Sequence, residues 1–308
     1  MLIGGIKKVK FKYFLEFGMN FSLKYYYYRF MKKYDKKHKM INKYLYDRYI
    51  DKLNNNNLSV ENIVDKKDDN KYIWVCWWQG ENNMPPIVAL CYKNLKMRVK
   101  TIKVILITKD NFKKYVEFPE YIYEKLNNGI ISITHFSDIL RAQLLYRYGG
   151  LWIDATIYIS KDICEEDIMF NKKFFSAKRE KGNIACIACN RWTAFLLGTN
   201  EKNSKLFGYM YYIFLDYWKT HNYLLDYLLI DYVINFLYEN DNKIKNMIDD
   251  MSLNNIAIDE LRNYLNDDYN EEIFNRITKN TIFHKLSWKQ KINYEKKGTF
   301  YEKIKIDI

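Results

Sequence analysis

The stretch Phe136 to Tyr158, FSDILRAQLLYRYGGLWIDATIY, constrains this chain more than any other. Asp138 and Arg141 are three residues apart on a helix, so a carboxylate and a guanidinium point the same way one turn from each other. Gly149-Gly150 ends that helix and lets the chain reverse sharply, which brings the next strand back beside it. Leu151-Trp152-Ile153 is a short apolar strand, and Asp154 falls where it meets solvent. A core strand has no use for a carboxylate there unless it binds something.

The rest of the chain supplies the frame. Tyr72 to Trp77 is a run of strand-forming residues, Pro85-Pro86 opens a helix over Ile87 to Met97, and Ile102 to Thr108 is a second buried strand. Short helices are expected over Asn111 to Tyr115 and Pro119 to Leu126, with a third strand over Ile130 to Ile133. Beyond Asp154, Lys173 to Ala177 and Ile184 to Ala188 read as strands. Leu206 to Trp218 and Leu224 to Tyr238 read as helices free of proline. Such alternation predicts an α/β domain over residues 71–308, with a mostly parallel sheet and helices on both faces. Ligands in such sheets bind at the carboxyl ends of the strands, where Trp74 to Gly80, Thr108 and Asp154 fall.

Residues 1–70 form a separate, helical and basic segment that passes through the polar run Asn54 to Asn57 and ends in the charged linker Asp65 to Lys71. The net charge of the chain is +13, and Met1 to Ile50 alone hold 13 Lys/Arg against 3 acids, a balance of +10. Phe11, Phe14, Leu15, Phe17, Phe21, Leu23 and Tyr25 to Tyr28 are interleaved with those charges. That mixture suits an anionic membrane surface, and equally a solvated basic helix packed on the domain by its tyrosines. No segment reaches the roughly 20 apolar residues that span a bilayer, and lysines at 7, 8, 10 and 12 interrupt any signal-like apolar core. The expected place is the cytoplasm, with residues 1–50 able to contact the inner face of the membrane. A purely nucleic-acid-binding role is disfavoured, because the charge lies outside the folded core and no such binding motif is present. Cys186 and Cys189 form a lone CxxC with no nearby His, read as reduced thiols of a buried strand rather than a metal or redox centre.

The order Asp138, Arg141, Gly149-Gly150, Asp154 resembles the donor-site signature of the DXD-type sugar transferases. The resemblance is to the capsular polysaccharide synthesis family and its relatives, the initiating mannosyltransferases and the clostridial glucosylating toxins. It extends over about residues 72–290, leaving the basic N-terminal segment outside. It implies a GT-A type nucleotide-sugar-binding fold with helical N-terminal and C-terminal additions, and a glycosyltransferase that moves a sugar from a nucleotide donor, UDP-linked in preference to GDP-linked. The acceptor implied is a growing glycan or lipid-linked glycan of the cell surface, with retention at the anomeric carbon. Within the resemblance, Asp138 and Arg141 bind the donor sugar, and Asp154 contacts ribose and the metal-bound pyrophosphate. Ile73 and Trp74 hold the base. His284, Lys285, Ser287 and Trp288 close over the pyrophosphate, and Asp231 is an acid near the acceptor. The metal implied is Mn2+ or Mg2+, held by Asp154, position 156 and His284. Here the chain departs from the pattern: Thr156 stands where the motif has its second carboxylate, and a neutral hydroxyl binds a divalent cation more weakly. A sugar-phosphate transferase of capsule synthesis and a non-enzymatic basic binding protein are the alternative readings.

Overall fold

A computed structural model describes residues 11–55, 58, 71–180 and 182–307. In chain order its strands are Tyr72–Cys76 (β1), Lys103–Ile107 (β2), Gly150–Ile153 (β3), Ile157–Ile159 (β4), Phe175–Ser176 (β5), Leu196–Thr199 (β6) and Phe283–Lys285 (β7). Five of them make the central sheet in the order β2-β1-β3-β6-β5. β1 is parallel to both β2 and β3, β6 is antiparallel to β3, and β5 is antiparallel to β6. Only β6 therefore runs against the common direction, and the sheet is mostly parallel as expected. β4 and β7 form a separate antiparallel ribbon.

The helices used below are Met19–Phe30 (α1), Tyr34–Asn54 (α2), Pro86–Arg98 (α3), Glu120–Asn127 (α4), Ile133–Tyr148 (α5), Lys205–Thr220 (α6) and Leu229–Asn240 (α7). Residues 11–17 are also helical. Strand alternation decides which helices cover which face of the sheet. Trp74, Ile105, Ile107, Trp152 and Leu197 point into a core shared with α2, α5, α6 and α7. Ile73, Val75, Leu151 and Ile153 point the other way, against Val88 and Leu95 of α3 and against Phe170 and Phe283. Each such side chain, taken fully from water, contributes roughly 1.5–3 kcal/mol.

Several expectations are corrected. Ile130 to Ile133 is no strand: the Ser132 hydroxyl accepts from the His135 amide at 3.2 Å and caps α5, so Ile133 is its first residue. Ile184 to Ala188 is a series of turns, with Cys189 and Asn190 at φ 46° and 64°. Its apolar residues do not pair with a strand, and Ile184 is 61% exposed. Cys186 and Cys189 are free and only partly buried, on a turn rather than in a core strand. α7 begins at Leu229 instead of Leu224, because the Asp226 carboxylate takes the Leu228 amide at 2.8 Å and forms a turn ahead of the helix. Asp226 and Asp231 thus lie on different elements.

The N-terminal helices are more than an appendage. Ile41, Leu45, Tyr49 and Leu53 of α2 belong to the same apolar core as Trp74 and Trp152. Polar contacts fix the docking: Lys37 Nζ to Asp226 Oδ2 at 3.1 Å, and His38 Nδ1 to the Tyr232 hydroxyl at 2.7 Å. Residues 1–10 and most of 56–70, which include the early lysines and nearly all of the Asp65 to Lys71 linker, lie outside the described residues.

The reversal at Gly149-Gly150 positions everything that follows. Both residues are left-handed, at φ 68° and 88°. A Cβ on Gly150 would stand 2.3 Å from the Tyr72 carbonyl oxygen of β1, so the two strands pair only because no side chain is there. Gly150→Ala combines that clash with a disfavoured φ and should destabilise the fold by about 3 kcal/mol or more, read as a lowered urea midpoint and melting temperature.

Candidate active site

α5 and β3 leave the Gly149-Gly150 turn side by side, and Asp154 comes to rest beside Arg141. The Arg141 guanidinium lies 4.6 Å over the Trp152 ring, forms an ion pair with Asp138 Oδ1 at 3.1 Å, and donates to the Ser137 carbonyl (3.1 Å), the Ser137 hydroxyl (3.1 Å) and the Ala194 carbonyl. One of its nitrogens is 3.7 Å from Asp154 Oδ1. The buried Asp138 carboxylate also faces His135 Nδ1 at 3.1 Å. Asp154 Oδ1 accepts from the Trp152 indole at 3.1 Å, and Oδ2 accepts from Lys285 Nζ at 2.7 Å. Burial alone would raise the Asp154 carboxyl, but the charges of Lys285 and Arg141, with the Lys285 and Trp152 hydrogen bonds, hold it below its ordinary value.

Two lobes of one cleft meet at this cluster, and Thr134, Arg141, Asp154 and Lys285 line both. The first lobe, about 410 Å³, carries Trp77, Trp78, Thr156, Ser287, Trp288 and Lys289. Its charged groups are Arg141, Lys285 and Lys289 against the single acid Asp154, so it is basic. Trp77 and Trp288 meet edge to face at 6.2 Å, and Trp288 is 48% exposed. The second lobe, about 390 Å³, carries Asp138, Asp231, Trp192 and the Arg179–Asp259 pair. Four acids against three cations make it the more acidic side.

Expected site residues divide accordingly. Asp138, Arg141, Asp154, Thr156, Asp231, Lys285, Ser287 and Trp288 all line the cleft. Ile73 and Trp74 do not. Both are fully buried in the middle of β1, and Trp74 donates to the Gly149 carbonyl at 2.9 Å and stacks on Tyr72. β1 reaches the cleft only at Cys76, and Trp77 and Trp78 just beyond it are the tryptophans of this segment that line it. His284 is also displaced. It alternates with Lys285 on β7, pairs in register with Tyr158 and is fully buried away from both lobes. Among the described residues neither ring nitrogen has a partner at full hydrogen-bond geometry, and burial pushes the imidazole down to about 4 against an opposing backbone interaction with Thr281. Ser137, Thr134, Lys289, Arg179 and Asp259 carry no sequence signal of their own and join the site only through the fold.

The expected Mn2+ or Mg2+ finds a poor donor set. Thr156 offers a hydroxyl, His284 faces the wrong way, and both oxygens of Asp154 already accept from protein donors. Among the described residues no group of three His, Cys, Asp or Glu side chains is placed to hold an ion.

Asp231 is the most perturbed acid of the cleft. Burial pushes its carboxyl up to about 7, Asp138 and Asp226 add to the rise, and the 2.9 Å bond from the Trp192 indole and the Arg141 charge oppose it. The unfolded chain releases this proton near pH 4. Between those values the native state binds more protons, so stability falls as pH rises through that window. Asp231→Asn keeps an acceptor for Trp192 and should remove this loss. Melting from pH 4 to 8 should decline less in the variant, by on the order of 1.4 kcal/mol per pH unit across the window.

The chain matches the capsular polysaccharide synthesis protein family over residues 24–304, which reaches back into α1 and takes in helices expected to lie outside the resemblance. It is 32% identical over 111 residues to the O-glycosyltransferase braB of Annulohypoxylon truncatum, covering 33% of this chain and 26% of that protein. It is 26% identical over 114 residues to the O-glycosyltransferase PaGT of Phomopsis amygdali, covering 34% and 28%. The matched segment is thus less than a third of the length of these curated relatives. The solved PaToxG glycosyltransferase aligns at a TM-score of 0.39 and 15% identity, over 67% of this chain and 84% of that one. With the family matched over most of its length, this chain belongs to the capsular polysaccharide synthesis proteins.

Proposed function

We propose that this protein is a glycosyltransferase that moves one sugar from a nucleotide-sugar donor, a UDP-sugar first, onto a growing capsular or other cell-surface glycan, with retention at the anomeric carbon. The observation that carries this reading is the division of the cleft. A basic lobe walled by the Trp77 and Trp288 rings suits a nucleoside diphosphate, and an acidic, hydrogen-bonding lobe suits sugar hydroxyls. Their shared wall of Arg141, Asp154 and Lys285 is where the two halves of a nucleotide sugar would join. The names of the two partial relatives, both O-glycosyltransferases, support the same class of reaction.

In this reading Trp77 and Trp288 frame the base, and the Ser287 hydroxyl and Lys289 reach the phosphates. Asp138, Arg141 and Asp231 orient the sugar. The bond from the anomeric carbon to the diphosphate breaks with its electron pair leaving on oxygen. The acceptor hydroxyl oxygen bonds to that carbon, and its proton ends on the diphosphate. Fixed charges aimed at the leaving group lower the barrier because they need no reorganisation as charge develops. Release of UDP and GDP should be assayed across a panel of nucleotide sugars with capsular glycan as acceptor. One donor should turn over, and Asp154→Ala should lower its kcat/KM by about a hundredfold or more. No turnover of any donor, with no donor binding by calorimetry, would overturn the reading.

The acceptor would be met at a membrane. No helix among the described residues is long and apolar enough to cross one. Yet α1 turns Met19, Leu23, Tyr27 and Phe30 to solvent at helical spacing, 49–84% exposed, beside Lys24, Arg29 and Lys32, while Ser22 and Tyr25 face the core. An outward apolar stripe flanked by basic residues fits an anionic lipid surface. The protein should sediment with phosphatidylserine vesicles and not with neutral ones, and Leu23→Ser with Phe30→Ser should weaken this by about tenfold or more.

A further inference from the structure

The Asp154 carboxylate, the one negative charge in the expected metal set, is engaged at both oxygens by protein donors. Lys285 Nζ stands 2.7 Å from Oδ2 and 4.8 Å from the Phe195 ring centre, so the ammonium is held between a carboxylate and an aromatic face. The other oxygen takes the Trp152 indole. A Mg2+ or Mn2+ ion can be held by one carboxylate together with substrate phosphates. Here, however, it would have to displace an ammonium from that carboxylate or bind beside it against like-charge repulsion. Thr156 supplies no second negative charge, and His284 lies on the far side of β7. Meanwhile the basic lobe holds its own positive charge: Lys289, on the turn that follows β7, lines it with Lys285 and Arg141.

We propose that Lys285 takes the place of the divalent cation. Resting on the transferase reading above, Lys285 binds the diphosphate and neutralises the charge it gains as the glycosidic bond breaks, with Lys289 in support, and neither donor binding nor transfer requires a metal. Asp154 then serves to hold the Lys285 ammonium at the junction of the lobes. The bond changes are those given above: the electron pair of the anomeric C–O bond leaves with the diphosphate oxygen facing Lys285, and the acceptor proton ends on the diphosphate.

Calorimetry with UDP tests this without relying on turnover. The wild-type protein should bind UDP equally well in EDTA and in Mn2+. Lys285→Met, which keeps the length of the side chain but loses its charge, should bind about tenfold more weakly in EDTA. Lys289→Met should lose less, and thermal melting confirms that each variant is folded. UDP binding by wild type that appears only with Mn2+ would overturn the proposal, as would a folded Lys285→Met variant that binds like wild type in EDTA. If neither UDP nor GDP binds in either condition, the nucleotide-sugar reading itself falls, a different result from binding that depends on metal.

Discussion

The close approach of β3 to β1 at Gly150 is the constraint on which the site depends. With no Cβ in the way, the two backbones come within pairing distance directly after a helix that ends two residues earlier, at Tyr148. Trp74, buried beneath the turn, ties it down through its bond to the Gly149 carbonyl. Because α5 and β3 leave the same turn, Arg141 and Asp154 are neighbours although twelve residues of helix, turn and strand run between them. The stacking of Arg141 on Trp152 and the Trp152 bond to Asp154 extend this order into the cleft.

Around that fixed pair, charge is sorted by lobe. The ribbon of β4 and β7 brings Lys285 from 131 residues away onto Asp154. The segment that follows β7 adds Ser287, Trp288 and Lys289 to the same side. On the other side the Cys186 turn and the start of α7 supply Trp192 and Asp231, enclosed enough that the Asp231 carboxyl is pushed up to about 7. Two carboxylates of one cleft are therefore driven in opposite directions. Asp154 is lowered by its cations and Asp231 is raised by its burial. The N-terminal helices brace the second lobe indirectly: Lys37 and the Tyr25 hydroxyl both bind Asp226, whose turn starts the chain into α7.

Much of the frame was legible because it obeys short-range rules. β1, β2, β3 and the helices α3, α5 and α6 follow from periodicity, and from proline and glycine punctuation. The errors arose where apolar or β-branched residues had no strand to pair with, at Ile130 to Ile133 and Ile184 to Ala188, and where a side-chain bond from Asp226 delayed a helix. Strand pairing is a long-range property that local composition does not encode.

The sequence by itself determined the turn, the Asp138–Arg141 spacing and the placing of Asp154 at a strand end, since each is fixed by helix pitch, by glycine's backbone freedom or by strand length. Only the tertiary structure decided which aromatic and basic groups share that space. It buried Trp74 and left Trp77 half-buried on the cleft wall, because a central strand is covered on both faces until it leaves the sheet. It turned His284 away and Lys285 inward, because successive residues of a strand point to opposite sides, and the register of β7 on β4 set which one met Asp154.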